Sequence, residues 1–287
     1  MIDREDRSRT IAILYDDDAQ NGLTHDFFAS ILDSIKRTVE KEGYEILFLN
    51  TQKSAPNRRT YLETIRRKKI EGVVIVCIHY DDSEVQELLA SDIPIVTIDE
   101  PVEGIPTVLS NNEEGMKELV KYVHSMGHSR IAYIHGDINE VTGKRIASFL
   151  STCKELGIEV PNEYIVPSQF RNIKKAAYLT EQLLKLAEPP TCILYSDDYA
   201  AIGGINIIRA RGMEVPGDIS VAGYDGIRFM TLFEPRITTI QQNMSLMGIE
   251  AGNLLMDMIE HPEKKERPNV NVSSVLSKGR TIGTVYF

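Results

Sequence analysis

The stretch Gly212–Thr239, GMEVPGDISVAGYDGIRFMTLFEPRITT, decides the fold expected for this chain of 287 residues. Gly212 can take the positive φ that ends a helix, and Pro216 prevents that helix from continuing. The apolar run ISVAG then predicts a short buried strand, and Asp225 follows at the strand's carboxyl end. Open parallel sheets bind ligands at that edge, so the stretch predicts a ligand-binding carboxylate.

Short apolar runs alternate with longer amphipathic stretches along the chain, as a parallel sheet built from βαβ units requires. Two such series follow one another, and they predict two lobes. The predicted strands are Thr10–Tyr15, Glu45–Asn50, Gly72–Ile78, Ile93–Ile98, Thr107–Leu109, Ile131–His135, Ile165–Val166, Thr191–Tyr195, Ser220–Gly223, Ile237–Ile240 and Asn269–Leu276. The predicted helices lie near residues 24–42, 57–68, 84–90, 141–156, 173–187, 198–211 and 243–260, and one more ends at Gly127.

Composition excludes several classes of protein. With 42% hydrophobic residues and mixed charge the chain is globular, and no apolar run approaches the length of a membrane span. The charged start, MIDREDRS, lacks the apolar core of a secretion signal, so we expect a cytoplasmic protein. The net charge is -10 without a basic stripe, which predicts poor DNA binding by this chain alone. The 3 cysteines are far apart and odd in number, which argues against a disulfide framework.

The motifs of common enzymes are missing from the sequence, so we expect a protein that is not an enzyme and needs no cofactor. There is no GxxxxGK[ST] phosphate loop, no HExxH, no GxSxG and no GxGxxG after a first strand. The acidic run Asp16–Asp18 could hold a cation, but it lacks the Gly spacing and the later Glu of a calcium loop. We therefore predict no metal site.

Four further segments extend the pattern of the opening stretch: Thr107–Gly136, the pair Lys144–Arg145, Cys192–Gly203 and Pro235–Ala251. In order and spacing they resemble the LacI/GalR family of transcriptional regulators over almost the whole chain. The resemblance implies an α/β fold of two doubly wound parallel-sheet lobes, periplasmic-binding-protein-like of type I. Three crossovers join the lobes, near Gly127, Gln241 and Asn271. The implied division is a residual linker at 1–9, an N-terminal lobe at 10–127 plus 242–270, and a C-terminal lobe at 128–241 plus 271–287.

The resemblance implies the effector-binding and dimerisation core of a regulator, with a small molecule, a sugar or sugar derivative, bound in the cleft between the lobes. Operator DNA would be bound only through the family's helix-turn-helix headpiece, which is expected before Arg9. A homodimer is expected because operators of this family are pseudo-palindromic. The alternative with the same architecture is a periplasmic-type solute-binding protein for sugar uptake, and an α/β enzyme is a further alternative.

The family pattern and the predicted strand ends together indicate six ligand-binding residues: Asp225, Arg145, Asp197, Phe170, Asp16 and Gln242. Asp225 can accept hydrogen bonds from two sugar hydroxyls, and Arg145 can donate to the ligand from the opposite side. Phe170 would pack on the sugar ring. Asp197 stands where the family usually has Asn, which favours a ligand that presents donors, while Asp198 is expected to cap the next helix.

Two weaker features remain open. Asn139 could reach the pocket from the loop before Arg145, although it stands in an ordinary turn context. The apolar residues after Asp225 either bury against the partner subunit of a dimer or pack within their own lobe: Phe229, Met230, Leu232 and Phe233.

Overall fold

The computed structural model describes residues 8–16, 22–24, 26–232, 234–264 and 266–285. They divide into two compact units. The first unit runs up to Ser110 and includes Asn243–Val272, and the second contains Asn111–Gln242 and the residues from Ser273 onward.

The regular elements alternate as the sequence predicts, with short turns of 3-10 helix between some of them. In chain order they are β1 Thr10–Tyr15, α1 Asp26–Lys41, β2 Glu45–Phe48, α2 Tyr61–Lys68, β3 Gly72–Cys77, α3 Ser83–Leu89, β4 Ile95–Ile98, β5 Thr107–Ser110, α4 Asn112–Ser125, β6 Ile131–His135, α5 Glu140–Glu155, β7 Ile165–Pro167, α6 Ile173–Leu183, β8 Cys192–Tyr195, α7 Asp198–Ala210, β9 Ser220–Asp225, β10 Thr238–Gln241, α8 Met244–Glu260, β11 Val270–Val272 and β12 Val275–Ser277.

The first unit is built on a sheet in the order β11-β5-β4-β3-β1-β2, with every pair parallel. The central strands β1 and β3 are almost continuously buried, as strands covered by helices on both faces must be. Helix α2 begins with a capping box formed by Thr60 and Glu63, and it ends at Lys69 in the left-handed conformation. Its last turn carries three basic residues, which suits the negative end of the helix dipole.

The second unit is built on a sheet in the order β12-β10-β9-β8-β6-β7, in which only β12 runs antiparallel to its neighbour. The chain leaves β6 towards β7 and then returns to the other side of β6 with β8. This reversal makes the carboxyl ends of β6 and β8 a topological switch point, the place where ligands bind in such sheets.

Two features of the division differ from the sequence-based expectation. The first passage between units follows Ser110, not Gly127, because the apolar face of α4 joins the core of the second unit with Ile131 and Phe149. The expected single strand Asn269–Leu276 is two strands that lie in different sheets. The other passages follow Gln242 and Val272.

The glycine pair Gly203–Gly204 allows close packing of α7 against its neighbours. A Cβ at Gly203 would run into the backbone carbonyl of Ile173, and one at Gly204 into the hydroxyl of Tyr195. That hydroxyl also hydrogen-bonds Thr180 at 2.7 Å, so α6, α7 and β8 meet at this point. Within the ranges given above, no helix is long and apolar enough to cross a membrane.

Candidate functional site

Five loops of the second unit leave the same edge of its sheet, because β6 to β10 run parallel and their carboxyl ends meet there. Four of the predicted site residues stand on these loops: Phe170 after β7, Asp197 after β8, Asp225 at the end of β9 and Gln242 after β10. Arg145 lies in the second turn of α5, the helix that follows β6. The fold therefore brings five of the six predicted residues to one edge of one unit.

Asp225 is partly buried at the end of β9 and has a φ of 98°, a conformation that Asp and Asn tolerate better than most residues. Its Oδ1 accepts a hydrogen bond from Nε2 of Gln242 at 2.7 Å, and its carbonyl accepts one from the Gln242 amide at 3.0 Å. The pKa of Asp225 is raised to about 6: burial is the largest cause, Arg145 opposes it by lowering the pKa, and nearby Asp197 raises the pKa. Asp225 is therefore a carboxylate held in an environment that favours its neutral form.

Arg145 is almost fully buried, with 3% of its surface exposed, and the surrounding residues hold its guanidinium in place. Nε donates to Oδ1 of Asn112 at 2.8 Å, and Nη1 donates to the carbonyl oxygen of Ser196 at 3.0 Å. The guanidinium carbon lies 3.6 Å from the centre of the Tyr224 ring, a close cation-π contact. Tyr224, the residue before Asp225, thus stabilises the Arg145 cation, and Arg145 in turn lowers the pKa of Asp225.

Asp197 has a structural role that the sequence-based reading missed. It is the N-cap of α7, since Oδ1 accepts from the Ala200 amide at 2.9 Å. Its Oδ2 accepts from the Arg171 amide at 2.8 Å and from the Ser196 hydroxyl at 2.8 Å. Both carboxylate oxygens are therefore engaged by the protein, and Asp197 orders the loop ends around the site.

Asp198 is not the helix cap that we expected. It is the first residue of α7 and fully buried, and its Oδ1 accepts from the Thr239 hydroxyl at 2.6 Å. Its Oδ2 accepts from the Ile227 amide at 2.9 Å. Burial, and then repulsion from Asp225, raises the pKa of Asp198 well above its ordinary value. This side chain ties α7 to β10 and to the loop that follows Asp225.

Phe170 lies at the edge beside Gly136, where a Cβ would stand 2.6 Å from the ring. The amide of Phe170 donates to Oδ2 of Asp137 at 3.1 Å, so the loops after β6 and β7 are tied together. The ring is only partly buried and keeps an exposed portion. This placement is compatible with an aromatic surface for a ligand, because Gly136 leaves the space that the ring occupies.

Gln242 is 4% exposed, and its Oε1 has no hydrogen-bond partner among the residues that the structure describes. The same holds for two hydroxyls at this edge, Oγ1 of Thr142 and Oγ of Ser168. A buried acceptor without a partner costs about 1 to 3 kcal/mol, so a partner from outside the chain would be favoured here. Gln242 Oε1 stands next to the hydrogen bond that Nε2 makes with Asp225.

The two remaining candidates differ from these residues: Asn139 has a capping role at this edge, and Asp16 lies in the first unit. Asn139 caps α5, because its Oδ1 accepts from the Thr142 amide at 2.8 Å. Asp16 is exposed after β1 in the first unit, where its amide donates to the Cys77 carbonyl at 2.8 Å. Asp17 and Asp18 lie outside the described residues. Across the parts of the chain with described coordinates, no group of His, Cys, Asp and Glu could hold a metal ion.

Sequence reasoning missed the partners that hold Arg145. Asn112 is 33 residues from Arg145 in the chain, and Ser196 contributes a backbone carbonyl that no side-chain pattern can reveal. In the first unit it also missed Arg58, which is nearly buried, pairs with Glu84 at 2.8 Å and donates to the Asn50 carbonyl at 3.1 Å. No pattern in the sequence indicates that Arg58 is held by these partners.

Two α/β units, each with a predominantly parallel sheet, and a polar cluster at the carboxyl edge of one sheet define a periplasmic-binding-protein-like ligand-binding protein. Residues 8–278 match the profile of the periplasmic binding proteins and sugar binding domain of the LacI family. The chain belongs to this family.

Similar proteins agree with this assignment. The HTH-type transcriptional repressor PurR of Mannheimia succiniciproducens is 30% identical over 258 residues, which cover 88% of this chain and 77% of that protein. A putative LacI transcriptional regulator from Bacillus cereus subsp. cytotoxis has a solved structure with a TM-score of 0.87 at 25% identity, covering 96% of this chain and 99% of that one. A LacI family regulator from Enterococcus faecium, solved with bound ribose, has a TM-score of 0.82 at 24% identity, with coverage of 96% and 100%.

Proposed function

We propose that this chain is the effector-binding part of a LacI-type transcriptional regulator. In this proposal a sugar or sugar derivative binds at the carboxyl edge of the second unit's sheet and changes how the regulator holds its operator. The observation that carries the proposal is the Asp225–Gln242 pair, in which a carboxylate of raised pKa adjoins a buried amide oxygen with no partner among the described residues. The family match and the ribose bound to the Enterococcus faecium regulator support a sugar as ligand.

The chemistry of the edge suits a polyol. Asp225 and Oε1 of Gln242 are acceptors, so they select a ligand with neighbouring hydroxyl donors. Arg145 is a fixed donor, and Phe170 offers an aromatic surface to the C–H face of a sugar ring. We do not assign Asp197 a ligand contact, because the protein already uses both of its oxygens. Asp16 remains a candidate in the first unit.

Nothing in this cluster requires chemistry on the ligand. Binding and release are enough for a regulator, since an effector acts through its different affinities for two states. The alternative, a solute-binding protein for sugar uptake, has the same architecture, but the curated relatives of this chain are named as repressors.

The test is a thermal-shift screen of the full 287-residue chain against D-ribose, other sugars, sugar phosphates and purines, followed by calorimetry on any binder. A ligand at about 100 times its Kd adds about 2.7 kcal/mol to the free energy of unfolding, which such a screen detects. Asp225→Asn should strongly reduce the shift, whereas Asp218→Asn, a change at an exposed aspartate of the same stretch, should keep it. Binding that survives Asp225→Asn unchanged would move the site elsewhere.

We also propose that the chain forms a homodimer through the loop after Asp225. Phe229 is 54% exposed and Leu232 is 81% exposed, so two large apolar side chains stand together at the surface. Met230, which we had grouped with them, is 2% exposed and packs inside the protein, and Phe233 lies outside the described residues. The loop is tied to the site, since Asp198 accepts from the Ile227 amide.

Sedimentation at micromolar concentration tests the dimer. We expect a mass near twice 32.3 kDa for the wild type and a shift to monomer for Leu232→Asp, because a buried unpaired charge opposes association. Tyr178→Asp is the matched control, since Tyr178 is also an exposed large side chain but lies on α6. A wild-type chain that sediments as a monomer rules the proposal out, and so does a Leu232→Asp variant that remains a dimer.

A further inference from the structure

Asn112 stands at a distinctive place in the chain. The second unit begins with Asn111, so Asn112 is its second residue and the first residue of α4. It is a polar side chain that is only 4% exposed. A buried amide must find hydrogen-bond partners, and Asn112 finds one on Arg145.

Asn112 contacts both components of the cation-π pair. Its side-chain oxygen accepts from Nε of Arg145 at 2.8 Å, and its carbonyl oxygen accepts a long hydrogen bond from the Tyr224 hydroxyl at 3.5 Å. Arg145 in turn lies over the ring of Tyr224. Tyr224 immediately precedes Asp225 in the chain. A residue beside the passage between units therefore contacts Arg145, one of the proposed effector-binding residues.

We propose that Asn112 is a positioning residue that holds the guanidinium of Arg145 beside Asp225. Arginine has a long side chain with many rotamers, and its plane is defined only when at least two of its donors are held. Here the Ser196 carbonyl holds Nη1 and Asn112 holds Nε. Loss of Asn112 removes the hydrogen bond at Nε, so the guanidinium is held less firmly over the Tyr224 ring and its average electrostatic effect on Asp225 is weaker.

The consequence is measurable at Asp225 without any ligand. The charged groups that act on Asp225 are Arg145 on α5, Arg171 after β7, and Asp197 and Asp198 at the start of α7. Arg145 is the strongest of the influences that lower the pKa of Asp225. A displaced Arg145 therefore allows that pKa to rise, while the other three groups stay in place.

The experiment follows the titration of the Asp225 carboxyl by carbon NMR in the full chain. Asn112→Ala should move the midpoint to higher pH, with Arg145→Gln setting the upper limit of the shift. The control is Asn111→Ala, since Asn111 is exposed at the same helix end and its side chain makes no capping hydrogen bond. Adding Asn112→Ala to Arg145→Gln should produce no further shift, because the two changes act through the same cation. An Asp225 midpoint unchanged by Asn112→Ala overturns the proposal, as does an additive double variant.

A second measurement on the wild type keeps the test independent of how well the variants fold. The Nε–H of Arg145 should exchange slowly with solvent, because it is buried and donates to Asn112, and rapid exchange would contradict the proposed role. Neither measurement needs an effector. The positioning role of Asn112 rests on the proposed function only for its effect on ligand binding. A negative ligand screen would contradict the proposed function, whereas an unchanged titration of Asp225 would contradict the positioning role.

Discussion

Asp225→Asn should make the free protein more stable at neutral pH while weakening effector binding. The substitution preserves the shape of the side chain. It also keeps an oxygen that can accept the hydrogen bond from Nε2 of Gln242, which in the wild type lies 2.7 Å from Oδ1 of Asp225. Asn also tolerates the φ of 98° at this position, which Ala would not. The change therefore removes a charge without adding backbone strain.

The magnitude follows from the pKa. Burial raises the pKa of Asp225 from 3.8 to about 6 in the folded protein. Well below pH 3.8 the carboxyl is protonated in both the folded and the unfolded chain, so it contributes no penalty there. As the pH rises towards 6 the unfolded chain releases its proton first, and the free energy of unfolding of the wild type falls. Above that pH the deficit is constant, at most about 3 kcal/mol and about 1 to 2 kcal/mol for a carboxylate that retains some solvent.

Urea unfolding at several pH values between about 3 and 8 measures this difference. Asp225→Asn should match the wild type at the acid end and exceed it at the neutral end, and Asp218→Asn should follow the wild type throughout. In the same preparations, affinity for a sugar found in the screen should drop by roughly ten- to hundredfold, the equivalent of one charged hydrogen bond. A variant that is less stable than the wild type at neutral pH, or a stability gap that does not grow with pH, would refute the reasoning.

Two further predictions concern the supports of the site. Arg145→Gln should lower the free energy of unfolding by about 1.5 to 3 kcal/mol, since it removes charged hydrogen bonds to Asn112 and to the Ser196 carbonyl; an unchanged urea midpoint would show that these bonds are dispensable. Gly203→Ala should cost about 1 to 3 kcal/mol, because its Cβ meets the Ile173 backbone. Gly143→Ala on α5, where a Cβ meets nothing within 4 Å, should be neutral or stabilising, and equal effects of the two glycine substitutions would contradict the packing argument.

The sequence predicted the strands well where each one is a buried apolar run bounded by turn residues, and Thr10–Tyr15 and Ile131–His135 have the predicted bounds. It failed where the outcome depends on tertiary packing. The assignment of α4 to a unit is decided by which core receives Met116, Leu119 and Val120, and no local pattern carries that information. The final strand was split for a similar reason, since two short runs pair with different sheets.

Prediction from the sequence is limited in the same way for single side chains of the candidate site. Position after a strand identified Asp225 and Gln242, because the carboxyl ends of parallel strands share one edge. The choice between Asp197 and Asp198 as helix cap could not be made from two adjacent identical residues. It depends on which of them has extended backbone, and Asp197 has φ and ψ of -160° and 171°.

Asp197, Asp198 and Asp225 lie at one edge of the sheet, where three ionised carboxylates would repel one another. The surroundings of each residue therefore determine how easily it carries a charge. Asp197 accepts three hydrogen bonds from the chain, two of them from backbone amides, and it is the N-cap of α7. Asp198 is fully buried, and its raised pKa means that a proton can remove its charge. Asp225 has one oxygen bonded to Gln242, lies beside Arg145, and keeps partial access to solvent. The N-terminal end of α7 therefore accommodates the Asp197 carboxylate, and burial favours the neutral form of Asp198. Asp225 is the carboxyl group whose charge a ligand with hydroxyl donors can stabilise.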